Sequence, residues 1–252
     1  MVKKERQEYI LERVEKEGRV LTKDLVEEFH IAEDTVRKDF QELSAKGKVQ
    51  RFHGGVLRIA DKPRSFKDRI SEQPTVKQQL AIKAVDYILD KKVLYIDGGT
   101  TNLKLAESIP MDYQGTVITN APAVALALCE HPNVDITLIG GDLNKTTKVI
   151  TGNKAIEQIH TINIQCCILG VSSLSEENGI TYPISDEAVL KQEVIRQSKQ
   201  VIAIANKEKL GSTATFYAAD LSQLDILITN ETNEDMLRSY RAMGIDIISE
   251  NI

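Results

Sequence analysis

Apolar residues recur at helical spacing through residues 1–57, with short extended segments between the helical stretches. Ile10, Leu11 and Val14 form the apolar stripe of a first helix, and Gly18 is placed to end it. The sequence then predicts a strand at 19–21 and a second helix, which has Thr22 as its N-cap and Leu25, Val26 and Phe29 inward. A turn at 30–32 leads to a third helix, with Val36, Phe40 and Leu43 inward and Gly47 at its end. Extended segments follow at 48–53 and 56–59, with Gly54 and Gly55 between them.

This order of elements is that of a winged helix-turn-helix, whose third helix enters the major groove of DNA. With its apolar stripe inward, the 100° step of the third helix turns Arg37, Lys38 and Gln41 outward, with Thr35 and Glu42 at the margin. Arginine reads guanine, glutamine reads adenine, and basic side chains on the wing suit phosphates. The candidate DNA contacts are Thr22, Thr35, Arg37, Lys38, Gln41, Lys48, Arg51 and His53. The alternative is a three-helix scaffold with a solvated charged face.

After residue 57 the pattern changes twice. Residues 58–74 carry Pro63, Pro74 and mixed charges without a clear period, and we interpret them as a linker in which Phe66 either packs between domains or stands exposed. Residues 75–252 alternate helices with short apolar strands. A first helix is marked by Val76, Leu80, Ala84 and Ile88. Strands are predicted at 93–96, 116–119, 135–139, 165–169, 200–205, 225–229 and 245–248, and helices at 102–109, 122–130, 154–159, 186–199 and 233–243.

Strands separated by helices predict βαβ units and a mainly parallel sheet. The expected fold class is therefore a small α+β winged helix-turn-helix head joined to an α/β body. Near-continuous apolar strands such as CCIL and VIAIA fit a sheet that is covered on both faces.

Polar and glycine residues follow several of the predicted strands. Ligands of such sheets bind beyond the carboxyl ends of the strands, and a glycine-containing loop that opens a helix favours an anion. The candidate ligand contacts at these ends are Asp97, Gly98, Gly99, Thr100, Thr101, Asn102, Thr119, Asn120, Gly140, Gly141, Gly170 and Lys209. The first loop has neither Walker A nor G-x-G-x-x-G spacing, and each segment alone also fits an ordinary βα turn. Together they favour a small polar or anionic ligand.

Composition excludes several classes of protein. The chain of 252 residues is 42% hydrophobic and 27% charged, which excludes collagen-like, low-complexity and disordered chains. No apolar run approaches the roughly 18 residues of a membrane-spanning helix, and the N-terminus lacks the apolar segment of a secretory signal. Cys129, Cys166 and Cys167 have no zinc spacing, and we expect buried thiols in a reducing cytoplasm. No metal and no cofactor are expected.

The net charge of −5 hides a local basic patch. Between residues 35 and 58, six basic side chains stand against two acidic ones. A basic patch on an otherwise acidic protein is typical of a small nucleic-acid-binding head.

The head contains the pieces Asp34-Thr35-Val36-Arg37-Lys38-Asp39, Leu43, Gly47 and Arg51-Phe52-His53-Gly54-Gly55. In these pieces it resembles the N-terminal signature of the DeoR family of bacterial transcriptional regulators. Two positions depart from the family. Ala32 stands where a serine usually caps the recognition helix, a loss of roughly 1 kcal/mol. Lys38 replaces the usual arginine and lacks its bidentate fork.

The body is similar to the effector-binding domain of the same family. The matching pieces are Asp97-Gly98-Gly99-Thr100-Thr101, Thr119-Asn120, Leu138-Ile139-Gly140-Gly141, Gly152, Ile168-Leu169-Gly170, Glu187-Ala188 with Lys191, and Lys209-Leu210-Gly211. This resemblance adds Glu187 and Lys191 to the candidate ligand contacts. It implies a fold related to ribose-5-phosphate isomerase, glucosamine-6-phosphate deaminase and CoA transferase, and a phosphorylated sugar or related metabolite as effector. Asn206 and Asn230 stand where the family usually has aspartate.

These features predict a DNA-binding regulator, a repressor of a sugar-metabolism operon that a phosphorylated metabolite relieves. The expected partners are double-stranded operator DNA, the small effector and further copies of the chain in a homodimer or homotetramer. One alternative is a sugar-phosphate isomerase or deaminase fused to a DNA-binding head. The strings Asp-Gly-Ala-Asp-Glu and Lys-Gly-Gly-Gly-Gly of the related isomerases do not occur here, and no catalytic residue is predicted. A second alternative is a metabolite-binding scaffold without a DNA function.

Overall fold

The structure is a computed structural model that describes residues 2–17, 19–52, 54–57 and 64–249. Four features of the sequence prediction lie outside these residues: Gly18 as the end of the first helix, the wing residue His53, the last two positions of the extended segment 56–59 and Pro63 in the linker. Among the described residues, no helix combines the length and the apolar character needed to cross a lipid bilayer.

The head is a winged helix-turn-helix. Its elements are α1 (Lys3–Glu17), β1 (Arg19–Leu21), α2 (Thr22–Phe29), α3 (Glu33–Ala45), β2 (Gln50–Phe52) and β3 (Gly55–Leu57). The three strands form an antiparallel sheet in the order β1-β3-β2. The predicted apolar stripes meet in one core, which contains Ile10, Val14, Val20, Leu25, Val36, Phe40, Leu43, Val49 and Val56.

The predicted N-cap role of Thr22 is wrong. Thr22 is the first residue of α2, the capping position is Leu21, and no side chain caps the helix. The backbone N–H of Thr22 donates to the carbonyl oxygen of Gly54 at 2.8 Å, so the wing hairpin occupies this donor. Gly47 follows the end of α3 with a φ of 61°, a left-handed conformation that glycine adopts without strain.

The described part of the linker is folded onto the body. It contains α4 (Phe66–Ile70) and leads into α5 (Pro74–Val85). Phe66 is buried, its backbone N–H donates to the carbonyl oxygen of Thr146 at 2.8 Å, and the Lys148 ammonium lies 5.4 Å from its ring centroid. The exposed alternative for Phe66 is therefore wrong, and the contacts of the side chain described here are with the body.

The body is built on one parallel sheet of seven strands. The helices and strands of the whole body, in chain order, are β4 (Val93–Ile96), α6 (Thr100–Ser108), β5 (Gly115–Thr119), α7 (Pro122–Leu128), β6 (Val134–Leu138), β7 (Asp142–Leu143), β8 (Ile150–Thr151), α8 (Asn153–Ile159), β9 (Cys166–Gly170), β10 (Ser173–Ser175), β11 (Gly179–Tyr182), α9 (Ser185–Gln197), β12 (Val201–Ala205), β13 (Phe216–Ala219), β14 (Ile226–Thr229), α10 (Glu234–Ala242) and β15 (Asp246–Ser249). The strand order is β15-β14-β12-β9-β4-β5-β6. All seven predicted strands belong to this sheet.

Helices cover both faces of the sheet, and two apolar clusters form. Cys166 packs in one cluster and Cys167 in the other, because successive residues of a strand point to opposite faces. Cys129 corrects the prediction of three buried thiols. It follows the end of α7 and is exposed, with its Sγ donating to the carbonyl oxygen of Ala125 at 3.4 Å.

The chain reverses direction across the sheet between β4 and β9. From β4 it proceeds through β5 to β6 at one edge, then returns to place β9 on the other side of β4. Neighbouring strands whose connections run in opposite directions leave a crevice at their carboxyl ends, which is the usual ligand position in such sheets.

Candidate functional site

The outer face of α3 is the candidate DNA interface. Arg37, Lys38 and Gln41 are exposed and Thr35 is half-buried, as the helical period predicts. Arg37 forms an ion pair with Glu33 one turn earlier at 2.7 Å, with both side chains more than half exposed. Such a surface pair contributes little to stability, so Arg37 can leave Glu33 for a base at small cost.

Buried polar contacts orient α3 on α1. Asp39 is 1% exposed and pairs with Arg6 of α1 at 2.5 Å. Gln7 donates to Asp39 at 3.2 Å and to Glu42 at 3.0 Å. These contacts fix the orientation of the recognition helix α3 relative to α1. The sequence analysis quoted Asp39 only as part of a motif, although a carboxylate on the inner side of an amphipathic helix indicates a buried partner.

The other predicted DNA contacts are distributed over the head. Lys48 and Arg51 are exposed, whereas Thr22 is 7% exposed at the start of α2. His53 lies outside the described residues. Ala32 occupies the N-cap of α3 and, as an alanine, accepts no hydrogen bond there. The first N–H groups of this helix therefore have no side-chain acceptor at the cap.

A cavity of about 480 Å³ lies at the crevice between β4 and β9. It brings together residues 98–102 after β4, residues 170–173 after β9, and predicted contacts from α9 and from the turn after β12. Its lining includes Gly98, Gly99, Thr100, Thr101, Asn102, Gly170, Glu187, Lys191 and Lys209 from the sequence prediction. Glu15 of α1 also lines it, so the head borders the cavity.

The loop after β4 presents a helix N-terminus to the cavity. Gly99 is the N-cap of α6 and has no side chain to cap it, so the first N–H groups of the helix lack a capping acceptor. Gly98 leaves no room for a side chain, because a Cβ there would lie 2.1 Å from Cγ1 of Val149. The Oδ1 of Asn102 and the Oγ of Ser173 are buried in the wall without a hydrogen-bond partner. Free donors and unpartnered polar atoms of this kind suit an anionic, hydroxylated ligand.

Asp97 holds the wall of the cavity together. One carboxylate oxygen pairs with the buried ammonium of Lys191 from α9, and the other accepts from the backbone N–H of Gly170 at 2.9 Å. Tyr182 adds a hydrogen bond to the carbonyl oxygen of Gly170 at 2.8 Å. Because both oxygens of Asp97 are engaged and the side chain is fully buried, it positions Lys191 and Gly170 rather than lining the cavity.

Besides Asp97, four predicted ligand contacts lie outside the cavity lining. Thr119 is buried and accepts from the N–H of Ala121 at 3.1 Å, and Asn120 is buried and accepts from the N–H of Gly98 at 3.2 Å. These two residues support the loop from behind. Gly140 exchanges hydrogen bonds with Gln158 of α8, and a Cβ on Gly141 would lie 2.5 Å from the carbonyl oxygen of Thr151. Both glycines follow β6, at the edge of the sheet, two strands away from the crevice.

The linker and α5 supply cations to the cavity that the sequence did not predict. Arg69 and Lys77 line the cavity with Lys209. Burial, followed by the charges of Arg69 and Lys77, lowers the pKa of Lys209 to about 7. Burial also lowers the pKa of Arg69 and of Lys77. The motif Ser65-Phe66-Lys67-Asp68-Arg69, which resembles the short linker motif of the family, was the available signal.

The two asparagines that depart from the family have different surroundings. Asn206 lines the cavity, and its amide nitrogen donates to Gln73 at 3.0 Å. Asn230 does not line it, and its Oδ1 accepts from the N–H of Lys207 at 2.8 Å. Only the Asn206 departure therefore changes the chemistry of the cavity wall, where an amide donor replaces a carboxylate.

A winged helix-turn-helix joined to a body with a polar cavity at the sheet crevice defines a DNA-binding regulator with a ligand-sensing domain. The comparisons with known proteins agree. The DeoR-like helix-turn-helix domain matches residues 6–62, and the DeoR C terminal sensor domain matches residues 72–231. The chain belongs to the DeoR family of transcriptional regulators.

Its relatives are similar over nearly their whole length. The chain is 28% identical to the HTH-type transcriptional regulator GlpR of Haloferax volcanii, covering 98% of both chains. It is 30% identical to the HTH-type transcriptional repressor GlcR of Bacillus subtilis, covering 91% of this chain and 89% of that one. These relatives are regulators and not enzymes, which decides against the isomerase or deaminase alternative. Ribose 5 phosphate isomerase A from Neisseria gonorrhoeae is a structural neighbour with a TM-score of 0.40 and 13% identity, over 55% of this chain and 54% of that chain.

Proposed function

We propose that the protein is a repressor of a sugar-metabolism operon and that a phosphorylated sugar or related metabolite releases it from its operator. The proposal rests on one observation: the cavity joins an uncapped helix N-terminus to a cluster of cations, of which Lys77 and Lys191 are buried and Arg69 and Lys209 are half-buried. This combination favours an anion with more than one negative charge. The repressor GlcR and the putative aga operon transcriptional repressor among the relatives support the direction of regulation.

The ligand has a phosphate end and a hydroxylated end in this proposal. The phosphate would lie on residues 98–102 together with Lys209, and the sugar hydroxyls would meet Glu187, Ser173 and Asn206, which line the same cavity. Glu187 accepts a hydrogen bond from the hydroxyl of Thr147 at 2.5 Å, and this contact supports a role for its carboxylate as an acceptor for ligand hydroxyls. A cavity of about 480 Å³ has the size of a small-metabolite site.

Matched pairs of sugars test this function. The full chain is screened by thermal unfolding against phosphorylated sugars and their unphosphorylated counterparts, and each stabilising compound is then titrated into the complex with operator DNA. A ligand at about 100 times its Kd adds roughly 2.7 kcal/mol of stability. We expect stabilisation by a phosphorylated member only, with release of operator over the same concentration range. Stabilisation without any change in operator affinity would overturn the regulatory role.

We also propose a homo-oligomer. One head reaches only a few base pairs of one major groove, whereas two heads on a two-fold axis read repeated half-sites. Light scattering of the protein, free and on operator DNA, measures this directly. A mass of one chain in both samples would contradict the proposal.

A further inference from the structure

The segment that joins the head to the body crosses the cavity. Arg64, Arg69, Glu72 and Gln73 all line it, and α4 lies within this segment. Phe66 anchors the first end of α4 on the body, as described above. At the end of the segment, just before α5, the side chain of Gln73 contacts two residues that follow β12. It accepts from Asn206 at 3.0 Å and donates to Glu208 at 2.9 Å. The segment is therefore part of the cavity wall.

Three cations line the cavity without a carboxylate partner: Arg69 of this segment, Lys77 and Lys209. Among the residues that the structure describes, Arg69, Lys77 and Lys209 form no ion pair within 4.0 Å. The Nε of Arg69 is buried without any hydrogen-bond partner. The ammonium groups of Lys77 and Lys209 donate to carbonyl oxygens, those of Arg69 and Val171 respectively.

Four carboxylates at the cavity have partners other than these cations. Glu72 pairs with Arg64, and Asp97 pairs with Lys191. Glu187 accepts from Thr147, and one oxygen of Glu208 accepts from Gln73 while its Oε2 is buried without a hydrogen-bond partner. Desolvated cations that repel one another lower the stability of the free protein, and an anion placed among them removes this cost.

From these contacts we infer that Arg69 and Lys77 bind the anionic group of the ligand together with Lys209, so that the segment joining the head to the body is itself a ligand-binding element. This inference rests on the proposed function and adds to it. The guanidinium of Arg69 offers its unpartnered N–H groups to a tetrahedral dianion, which a guanidinium binds through parallel hydrogen bonds. Ligand binding then acts on the chain that carries the DNA-binding head, without a relay through the sheet.

Inorganic sulfate is the probe that tests this inference, because it is a dianion at every working pH. The unfolding midpoint of the full chain is measured against sulfate concentration, with sodium chloride at matched ionic strength. The variants are Arg69→Gln and, as the matched control, Lys67→Gln, which removes the same charge from an exposed position of the same helix. We expect the wild type and Lys67→Gln to gain the same sulfate-dependent rise, and Arg69→Gln to gain less than half of it.

The anion-free proteins provide the control for folding. Removal of an unpaired, desolvated cation should leave the midpoint of Arg69→Gln at or above that of Lys67→Gln. A clearly lower midpoint would make Arg69 a structural residue and overturn the inference. Lys77→Gln is the second variant, with the same expected loss of the sulfate response.

Failure of this inference and failure of the proposed function give different results. If Arg69→Gln and Lys77→Gln keep the full sulfate response while a substitution in residues 98–102 removes it, the linker is no part of the site, although the repressor function is untouched. If the linker variants lose the response and yet no phosphorylated sugar changes operator affinity, the anion site stands and the proposed function is wrong.

Discussion

Arg19 of the head and Glu231 of the body form an ion pair that is almost completely shielded from solvent. The exposed fractions of the two side chains are 13% and 3%. Arg19 also lies 3.3 Å from the Sδ of Met236, and the second oxygen of Glu231 accepts from the N–H groups of Thr232 and Asn233 at 3.0 and 2.8 Å. Glu231 follows β14 at the carboxyl edge of the sheet. The wing sheet of the head is thus fastened to the same edge of the body that carries the cavity.

Arg19→Met should destabilise this junction. It leaves the carboxylate of Glu231 without its cationic partner, and removal of one member of a buried pair costs about 3 kcal/mol or more. Arg13→Met is the matched control, because Arg13 pairs with Glu28 inside the head at 2.5 Å with side chains 22% and 37% exposed. A partly exposed pair contributes about 1 kcal/mol or less. Urea unfolding of both variants measures the difference, and equal losses would contradict the role given to Arg19.

Arg37→Ala should weaken specific operator binding. A side chain that reads a base contributes about 1–3 kcal/mol of discrimination, whereas the Glu33 pair that it gives up on the protein is exposed and weak. The measurement is the ratio of operator to random-DNA affinity at fixed salt. We expect this ratio to fall while the affinity for random DNA changes little. An unchanged ratio would show that α3 does not read the operator sequence through Arg37.

Lys48→Ala should weaken binding to operator and random DNA alike and leave their ratio unchanged. Lys48 is exposed after the recognition helix. If it contacts phosphate, as we propose, its loss weakens all DNA binding about equally. The logarithm of affinity should also depend less steeply on the logarithm of salt concentration, by a slope change of about 1 for one lost phosphate contact. Affinity measured at several salt concentrations checks this. A slope identical to that of the wild type would show that Lys48 contacts no phosphate.

The inner strands of the sheet could be predicted from the sequence because they are buried on both faces, as β9, β12 and β14 are, whereas the edge strands β6 and β15 are more exposed. Each of these inner strands is a short apolar run, a local pattern that does not depend on which strands become neighbours. The short antiparallel strands were missed for the opposite reason. For example, β11 pairs with β13 through Ile180 and Ala219, two residues far apart in sequence, and neither segment has a strong period of its own.

The site could be predicted only as far as the strand ends define it. Residues 98–102 and Gly170 follow strands that flank the crevice, and parallel strands bring such residues to one edge. Gly140 and Gly141 also follow a strand, but this strand is β6, which lies two strands away from the crevice. The local sequence does not determine the order of the strands in the sheet. Arg69 and Lys77 reach the cavity because α4 and α5 fold back over it. This is long-range packing that no periodicity indicates.

Anion binding should depend on pH through Lys209. Burial, followed by the charges of Arg69 from α4 and Lys77 from α5, lowers its pKa from 10.5 to about 7, against the opposing charges of Glu208 and Glu72. A bound dianion favours the ammonium form and raises this pKa, so binding takes up a proton above pH 7. We expect sulfate affinity to be nearly constant below pH 7 and to fall as the pH rises above it.

Lys209→Met is the control for this titration. Its sulfate affinity should be lower than that of the wild type and should show no decrease that begins near pH 7. In the free protein, the effect of pH on stability has the opposite direction to its effect on sulfate affinity. A lysine whose pKa is lower in the folded state than in the unfolded state lowers stability below pH 7, and this cost disappears as the pH rises from about 7 to 10.5. Wild-type and Lys209→Met profiles of equal slope between pH 7 and 9 would refute the assignment.

Thr100→Val should weaken release by the effector without changing the free repressor. Thr100 is the first residue of α6 and is 5% exposed at the cavity wall, so valine keeps its shape and removes one hydroxyl. Thr116→Val is the matched control, on β5 and outside the cavity lining. A ligand changes operator affinity only by as much as its own affinity differs between the two states of the protein.

A tenfold release of operator requires about 1.4 kcal/mol of coupling between the two sites. If the Thr100 hydroxyl binds the effector, the variant should stay on its operator at effector concentrations that release the wild type and Thr116→Val, with the same operator affinity when no effector is present. Titration of the effector into the three operator complexes measures this. Identical release curves would exclude the Thr100 hydroxyl from the site. A Thr100→Val protein that is already off the operator without effector would mean that residues 98–102 maintain the fold instead of sensing a ligand.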